Sequence, residues 1–558
     1  MKFNGAEIII KLLERQGIDT IAGIPGGANL PLYDALGQSD GIRHILTRHE
    51  QGAGFLAQGM ARVSGKPAVF FATSGPGATN TLTAIADAKL DSIPIICITG
   101  QVPLSMIGTD AFQEVDTYGL SVPITKHNFL VRSVEELLDV IPAAFRIASS
   151  GRPGPVVVDI PKDVQMAELE FDDWPEIGTP DVTPELIDGE LARAASMINQ
   201  AKKPILYLGG GVIQSDSSAE ALALAEKGGI PSAVTLMGLG IMSTEHPLCL
   251  GMLGMHAARY TNMVLEECDL LIAIGVRFDD RATGKVPEFC PQAKIIHMDI
   301  DPSELDKIKM AHASVTGDVG DILRALLPLV EEKKRLEWNA EVQGLKSTNP
   351  MIVPASDDTT SPYGVILKTA ELAGEDAIIC TDVGQHQMRT AQAYPFKKPR
   401  SWLTSGGLGT MGFGMPAALG AALAAPDCPV ICFSGDGSIM MNIQDLATAM
   451  EYDIPIKIIL TNNNALGLVR QQQDLFYGKR YTASDYSKSV DFMKIAEGFG
   501  INAHDLGTSS DPAAILAEAL AEPGPSLIHV PISPDEPVYP MVPPGAANSE
   551  MIGGEKDV

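Results

Sequence analysis

The sequence predicts an α/β protein built from three doubly wound, parallel-sheet domains. Short apolar runs alternate with stretches of helical periodicity in three successive sections of the chain, which is the pattern of βαβ units. Many runs stop abruptly at glycine turns, as in Gly209-Gly210-Gly211 and Gly435-Asp436-Gly437. A length of 558 residues also exceeds what one hydrophobic core organises.

The N-terminal domain is expected over 1–170. A helix over 6–16 leads to a strand over 20–24 and the turn Pro25-Gly26-Gly27. A strand over 42–47 delivers Arg48-His49-Glu50 to its C-terminal end, and a helix over 51–63, lined with Ala and Gly, follows. Strands over 68–73, 95–99 and 156–160 continue the alternation, with a polar-aromatic loop over 104–127 of the kind that often carries function. On the residues alone, Glu50 opens a helix and complements its dipole. An acidic, proline-rich linker is expected over 171–189.

A central domain is expected over 190–335, with strands over 204–208, 270–274 and 295–301. The first ends in Gly209-Gly210-Gly211, the second in Gly275-Val276-Arg277-Phe278-Asp279-Asp280-Arg281, and the third in acidic residues, as ribose-binding edges do. A charged helix over 331–337 and a linker over 336–360 follow.

The third domain is expected over 361–535, with a lid or tail over 536–558. A strand over 430–433 ends at Gly435-Asp436-Gly437-Ser438. A helical pattern (Met440, Ile443, Leu446, Ala447, Met450) then leads to a strand over 456–460 and Asn462-Asn463-Asn464. The crossover makes the strands parallel, so Asp436 and Asn463 share one sheet edge, where open α/β sheets bind ligands. One carboxylate and one amide oxygen suit Mg²⁺ held partly by substrate phosphates. Gly407-x-Gly409-x-x-Gly412 matches the dinucleotide fingerprint formally, but residues 399–403 make a poor strand before it.

A net charge of −28 makes nucleic acid and anionic membranes poor partners, so any anionic ligand must meet local cations, metal or helix N-termini. Seven cysteines without a CxxC pair read as reduced core thiols. No signal or transit peptide and no 18-residue apolar run is present, so a soluble cytoplasmic chain is expected.

Gly435-Asp436-Gly437…Asn462-Asn463 resembles the thiamin-diphosphate signature, and Arg48-His49-Glu50-Gln51-Gly52-Ala53 resembles that family's glutamate motif. Together with Ser74-Gly75-Pro76-Gly77-Ala78-Thr79-Asn80, Ala111-Phe112-Gln113-Glu114 and Ser150-Gly151-Arg152-Pro153-Gly154-Pro155, the chain resembles the acetolactate (acetohydroxyacid) synthase catalytic subunit from residue 5 onward. The resemblance implies pyrimidine-binding, central FAD-type and diphosphate-binding domains. It implies decarboxylation of pyruvate on thiamin diphosphate and ligation of the hydroxyethyl carbanion to pyruvate or 2-oxobutyrate, in branched-chain amino-acid biosynthesis.

By the same resemblance, Glu50 binds the aminopyrimidine and activates the cofactor. Gly27 offers a backbone N–H near developing negative charge, and Gln113, Lys162 and Phe112 line the pocket. Lys162 has the alternative of pairing with Asp163. Gly384, Gln385, His386, Gln387, Gly409, Met411, Gly435, Asp436, Gly437, Ser438, Asn463, Leu466 and Gly467 would contact thiamin diphosphate. Met411 is the wedge beneath the bent cofactor, or alternatively a filler residue. Asp436, Asn463 and the carbonyl of Ala465 would hold Mg²⁺.

FAD, structural rather than redox-active, would meet Arg152, Gly209, Gly210, Gly211, Thr235, Leu236, Gly254, Met255, His256, Gly275, Arg277, Asp279, Arg281, Asp299, Ile300, Asp318 and Val319. An arginine–aspartate cluster at a domain interface is the competing reading of the Arg277 segment. A homodimer or homotetramer with sites between subunits, and a separate small regulatory subunit, are implied too.

Three positions depart from the family pattern: Ala465, Leu468, and Gln472, where many members carry tryptophan. That tryptophan is associated with a preference for 2-oxobutyrate, so weak acceptor preference is expected. The rival readings are pyruvate oxidase; glyoxylate carboligase, against which Glu50 argues; an NAD-type dehydrogenase built on the Gly407 fingerprint; and a silent scaffold.

Overall fold

The apolar runs become strands in three six-stranded sheets, every one of them parallel. The computed structural model describes residues 1–183 and 185–554. One linker position and the last four residues of the expected lid or tail therefore lie outside the described residues.

The first sheet orders its strands Arg43–Leu46, Thr20–Gly23, Ala68–Ala72, Ile95–Gln101, Val156–Pro161, His127–Leu130. The third sheet repeats this connectivity with Trp402–Leu403, Ile378–Thr381, Val430–Gly435, Ile456–Asn462, Ser526–Pro531, Asn502–Asp505. The central sheet is wound differently: Cys249–Met252, Ser232–Val234, Pro204–Leu208, Leu270–Ile274, Lys294–Asp299, Ala313–Thr316. That is the order 3-2-1-4-5-6 of dinucleotide-binding sheets.

Strand residues are apolar at nearly every position because both sheet faces are covered. In the third sheet Ile431 and Phe433 enter one core, which also takes central-domain side chains, while Val430 and Cys432 enter another shared with the first domain. The first and third domains meet through the helices Glu50–Ser64 and Gly414–Ala424. Their alanines and glycines, legible in the sequence as composition only, permit backbone contact: a Cβ at Gly59 would overlap the Ala417 carbonyl, and one at Gly420 the Leu56 carbonyl. Phe55 and Phe413 close the seam edge to face at 5.4 Å.

Several expectations need correction. The charged helix over 331–337 starts only at Leu336 and runs to Thr348. Ahead of it the Arg335 guanidinium donates to the carbonyls of Ile198, Ala201 and Gly228, which holds the preceding residues out of the helix. This helix also occupies much of the linker expected over 336–360, since Trp338 and Val342 are buried in the central core. The helical pattern at 440–450 is broken into the pieces Asp436–Ile439, Ile443–Asp445 and Leu446–Glu451, leaving Met440 and Met450 about half exposed. At the break, Asn442 turns its amide onto the carbonyl of Gly412. The loop over 104–127 contains the helix Thr117–Ser121 and leads into an edge strand. Residues 399–403 do supply a strand, two residues long.

The C-terminal stretch does not run free. Met541 bridges Ile552, Val542 donates to the Met255 carbonyl at 2.9 Å, and Asn548 donates to that of Ala282 at 2.9 Å, strapping it to the central domain. Among the described residues no helix is long and apolar enough to cross a membrane, and the seven cysteines are unpaired.

Candidate active site

Parallel pairing sets Gly435 opposite Thr461, so Asp436 and Asn463 emerge side by side at the C-terminal sheet edge. Burial raises the Asp436 carboxyl to about 6 against the pull of the N–H groups of Gly437, Ala465 and Asn464. Its Oδ2 is buried without a hydrogen-bond partner. A buried carboxylate with a free oxygen fits a cation. Asn463 accepts the Ala465 N–H at 3.1 Å and turns its amide to Gln385 at 3.4 Å. Gly467 is small by necessity, because a Cβ there would come 2.8 Å from the Asn463 amide nitrogen. One carboxylate, one amide oxygen and a carbonyl make a sparse donor set, the kind that suits Mg²⁺ shared with phosphates.

The neighbouring strand end, Asp382 to Gln387, faces this turn across the switch point of the sheet. Asp382, which opens this turn, accepts the Gly412 N–H at 2.7 Å and the Ser434 hydroxyl at 3.0 Å. His386 packs between Gly384 and Gly435 and is buried, its pKa lowered by that burial to about 3. The ring is neutral, and its Nε2 has no partner. Ser438 donates to the Val383 carbonyl at 2.7 Å, while Gln387 donates to Thr404 at 2.8 Å and to the Ser405 carbonyl at 3.2 Å. Met411 and Leu466 converge on Gly437, where a Cβ would lie 3.6 Å from the Met411 methyl and 2.7 Å from Leu466 Cδ2. Gly409 stands at φ +70° with open space beside it. The helix proper begins only at Gly414, so the Gly407 fingerprint is not a strand–turn–helix.

Open space at Gly409, orphaned polar atoms at Asp436 and His386, and glycines wherever a side chain would intrude together fit a diphosphate with its cation. Gln471, buried and unassigned by the sequence, braces this end by binding Gln385, and both N–H and carbonyl of Val538.

The second cluster lies at the C-terminal edge of the first sheet. Glu50 accepts the Asn80 amide at 2.9 Å, and a Cβ at Gly77 would come 3.3 Å from its other oxygen. Gln113, at φ +58°, lies against Gly75 in the same turn. Gly27 has open space where a side chain would stand. Phe112 is 87% exposed. Lys162 forms no ion pair among the described residues; Asp163 instead accepts the Leu104 N–H at 3.1 Å. Leu468 and Gln472, four apart on the helix Gly467–Phe476, share one face. No hydrogen bond or ion pair among the described residues joins Glu50 to Asp436 or Asn463.

Apart from Arg152, which comes from the first domain, the residues assigned to FAD lie at the ends of all six central strands. Gly209 and Gly211 pack on Gly275, where a Cβ at Gly211 would come 2.7 Å from the Gly275 Cα. Thr235 keeps a buried hydroxyl without a partner, and burial raises Asp299 to about 6. These features fit a nucleotide. Other assigned residues are occupied within the chain. Asp279 and Asp318 cap helices. His256, its pKa lowered by burial to about 4, meets the Pro540 carbonyl at 3.1 Å beneath the C-terminal strap. The arginine–acid cluster at a domain interface exists at Arg152, paired with Glu304 at 2.7 Å and Asp301 at 3.2 Å. Of the Arg277 segment, Arg281 stands 3.6 Å from Asp280 in an exposed pair and reaches the Met255 sulfur at 3.9 Å.

Three family models match: thiamine pyrophosphate enzyme N-terminal TPP binding domain (residues 3–120), central domain (191–326) and C-terminal TPP binding domain (382–530). The chain is similar to the acetolactate synthase isozyme 1 large subunit of Escherichia coli K12, 61% identical over 99% of this chain and 98% of that one. It is 46% identical to the isozyme 2 large subunit of the same organism, over 98% and 99% of the two chains. It is 45% identical to the acetolactate synthase large subunit of Parasynechococcus marenigrum WH8102, over 99% and 91%.

Proposed function

Because this chain belongs to the acetolactate synthase large-subunit family of thiamine pyrophosphate enzymes, we propose that it decarboxylates pyruvate and joins the retained two-carbon unit to a second 2-oxo acid. The observation that carries this reading is the Asp436–Asn463 turn, a buried carboxylate and an amide at one sheet edge, ringed by glycines. Thiamin diphosphate, when bound, supplies a nucleophilic carbon and an electron sink for the pair left as CO₂ departs.

The protein's own residues do the rest. Asp436, Asn463 and the Ala465 carbonyl hold Mg²⁺, and the turns at Gly384 and Gly435 present N–H groups to the diphosphate. Met411 supports the cofactor from below. Glu50, oriented by Asn80, holds a proton at the aminopyrimidine. Gly27 presents its N–H to negative charge growing on the substrate oxygen, and Gln113, Lys162 and Phe112 line the pocket with Leu468 and Gln472. FAD, if bound, would be held as a structural group by the turns at the ends of the central strands.

Glu50 and Asp436 belong to separate clusters, and Phe112, Met440, Met441 and Met450 leave apolar surface uncovered. Both features support a homodimer or homotetramer in which a second copy completes each site. The relatives are named large subunits, which supports a separate small regulatory partner. Pyruvate and 2-oxobutyrate are the proposed acceptors, and the cytoplasm the proposed location. The test is acetolactate formation from pyruvate by the purified chain, with and without thiamin diphosphate and Mg²⁺. Dependence on both supports the reading; cofactor-independent turnover, or none at all, overturns it. Bleaching of bound flavin by pyruvate at the turnover rate would make the flavin redox-active and favour an oxidase.

A further inference from the structure

The loop that carries Gly409 and Met411 is held by the N-terminal domain of its own chain. Asp87 and Asp91 project from the helix Leu82–Asp91 and are almost wholly buried. Asp87 accepts hydrogen bonds from the Ser405 hydroxyl and, at 2.8 Å, from the Thr410 hydroxyl. Asp91 accepts the backbone N–H groups of Gly406 at 3.0 Å and Gly407 at 2.7 Å. Ser405 in turn receives the Thr410 N–H at 2.8 Å, which closes the loop on itself.

The counter-charge is Arg62, on the same helix that begins with Glu50. It donates to Asp91 at 2.8 Å, stands 3.6 Å from Asp87, and faces the Phe413 ring at 5.0 Å. Two carboxylates facing one guanidinium in a buried seam form an expensive arrangement, which persists only if most of their remaining oxygens are satisfied. The loop supplies four donors, two to Oδ1 of Asp87 and one to each oxygen of Asp91, while Oδ2 of Asp87 has only the 3.6 Å approach of Arg62. Gly406 and Gly407 must be bare to fit: a Cβ at Gly407 would come 2.8 Å from Leu90 and 3.0 Å from Asp91. From the other side Asp382 fixes Gly412. The two residues flanking Met411, Thr410 and Gly412, are thus both anchored by buried carboxylates.

We propose that Asp87 and Asp91, which share Arg62 as counter-charge, are positioning residues that set the Met411 loop for the cofactor, so that one buried ion cluster ties the Glu50 helix to the wedge beneath the thiamin rings. This rests on the reading of Met411 given above. The cluster acts through the loop and touches neither substrate nor cofactor.

The test uses the full-length chain stripped of cofactor and titrated with thiamin diphosphate at saturating Mg²⁺, alongside the thermal midpoint of the cofactor-free chain. The variants are Asp87→Ala, the pair Ser405→Ala/Thr410→Val, and all three together. The hydroxyl pair removes both hydrogen bonds to Asp87 while leaving Arg62, Asp91 and the Asp91 bonds to Gly406 and Gly407 in place, so an affinity loss shared by both arms belongs to the Asp87 contact. Loss of these hydrogen bonds is expected to weaken thiamin diphosphate binding about tenfold in either arm. The combined variant is expected to lose little more, because both arms break one contact. The cofactor-free midpoint of the hydroxyl pair should fall as well, because buried Asp87 loses both of its hydrogen-bond donors, whereas Asp87→Ala, which also removes the charge, should cost less stability. Unchanged affinity with a lowered midpoint, or effects that multiply, overturns the inference. A wild-type chain that binds no thiamin diphosphate overturns instead the family reading beneath it.

Discussion

Asn80 donates its side-chain amide to Oε2 of Glu50 at 2.9 Å, although the two stand on different helices thirty positions apart. The contact fixes the carboxylate proposed to meet the aminopyrimidine, and Gly77 keeps the other oxygen free of side-chain crowding.

Glu50→Gln should therefore abolish acetolactate formation while leaving thiamin diphosphate binding nearly intact. Asn80→Ala should reduce kcat about tenfold, the loss of one hydrogen bond to a charged group. Turnover and cofactor titration measured on the same preparations check both. Full activity in Glu50→Gln removes the activating role.

At the other end of the cofactor, Asp436 is the sole carboxylate of the turn. Asp436→Asn is expected to weaken Mg²⁺-dependent thiamin diphosphate binding by about a hundredfold or more, since a buried charge pair loses one member. Chelation of the metal from the wild-type enzyme should reproduce the loss. Binding that is indifferent to both treatments would place the cation elsewhere.

Gln472 shares a helix face with Leu468 and presents no apolar bulk. The wild-type enzyme should show weak preference between pyruvate and 2-oxobutyrate as acceptors, and Gln472→Trp should shift the product ratio toward the six-carbon product by roughly tenfold, within what one methylene contact supplies. Product ratios from mixed substrates measure it. A strong six-carbon bias in the wild type contradicts the expectation.

Burial raises Asp159 from 3.8 to about 7, against the opposing hydrogen bonds of Thr99 and Gln101. The folded chain thus holds a proton that the unfolded chain has released. The stability tied to this group is complete below about pH 4 and is lost as pH rises through 7. Asp159→Asn has no proton to release, so its thermal midpoint relative to wild type should climb between about pH 4 and 7 and level off above. A difference that stays flat across that range would mean Asp159 stays ionised in the fold.

Much of this architecture was legible in the residues. The glycine turns at 209–211 and 435–437 marked two strand ends, and the Asp436–Asn463 spacing placed both residues at one sheet edge, because a βαβ crossover leaves no other parallel arrangement. Gln471 and the Arg62–Asp87–Asp91 cluster were not legible as participants, nor were the partners of Asn80 and Asp382, although both residues lie in motif segments. Each makes its decisive contact with a residue distant in sequence, and nothing in a local pattern of charge or period distinguishes such a side chain from a solvated one. The helix over 331–337 failed for the same reason: the carbonyls that Arg335 binds belong to residues 198–228.

By itself, then, the sequence determined what depends on neighbours along the chain: three parallel α/β units, the strand ends that carry glycine, and the chemical kinds of group at each edge. Tertiary structure alone decided the pairings across the seam between the first and third domains. There the small residues of Glu50–Ser64 and Gly414–Ala424 let two backbones touch, and buried carboxylates of one domain take up the loop donors of the other. Burial without water makes those contacts obligatory, and only the folded chain specifies which donor meets which acceptor.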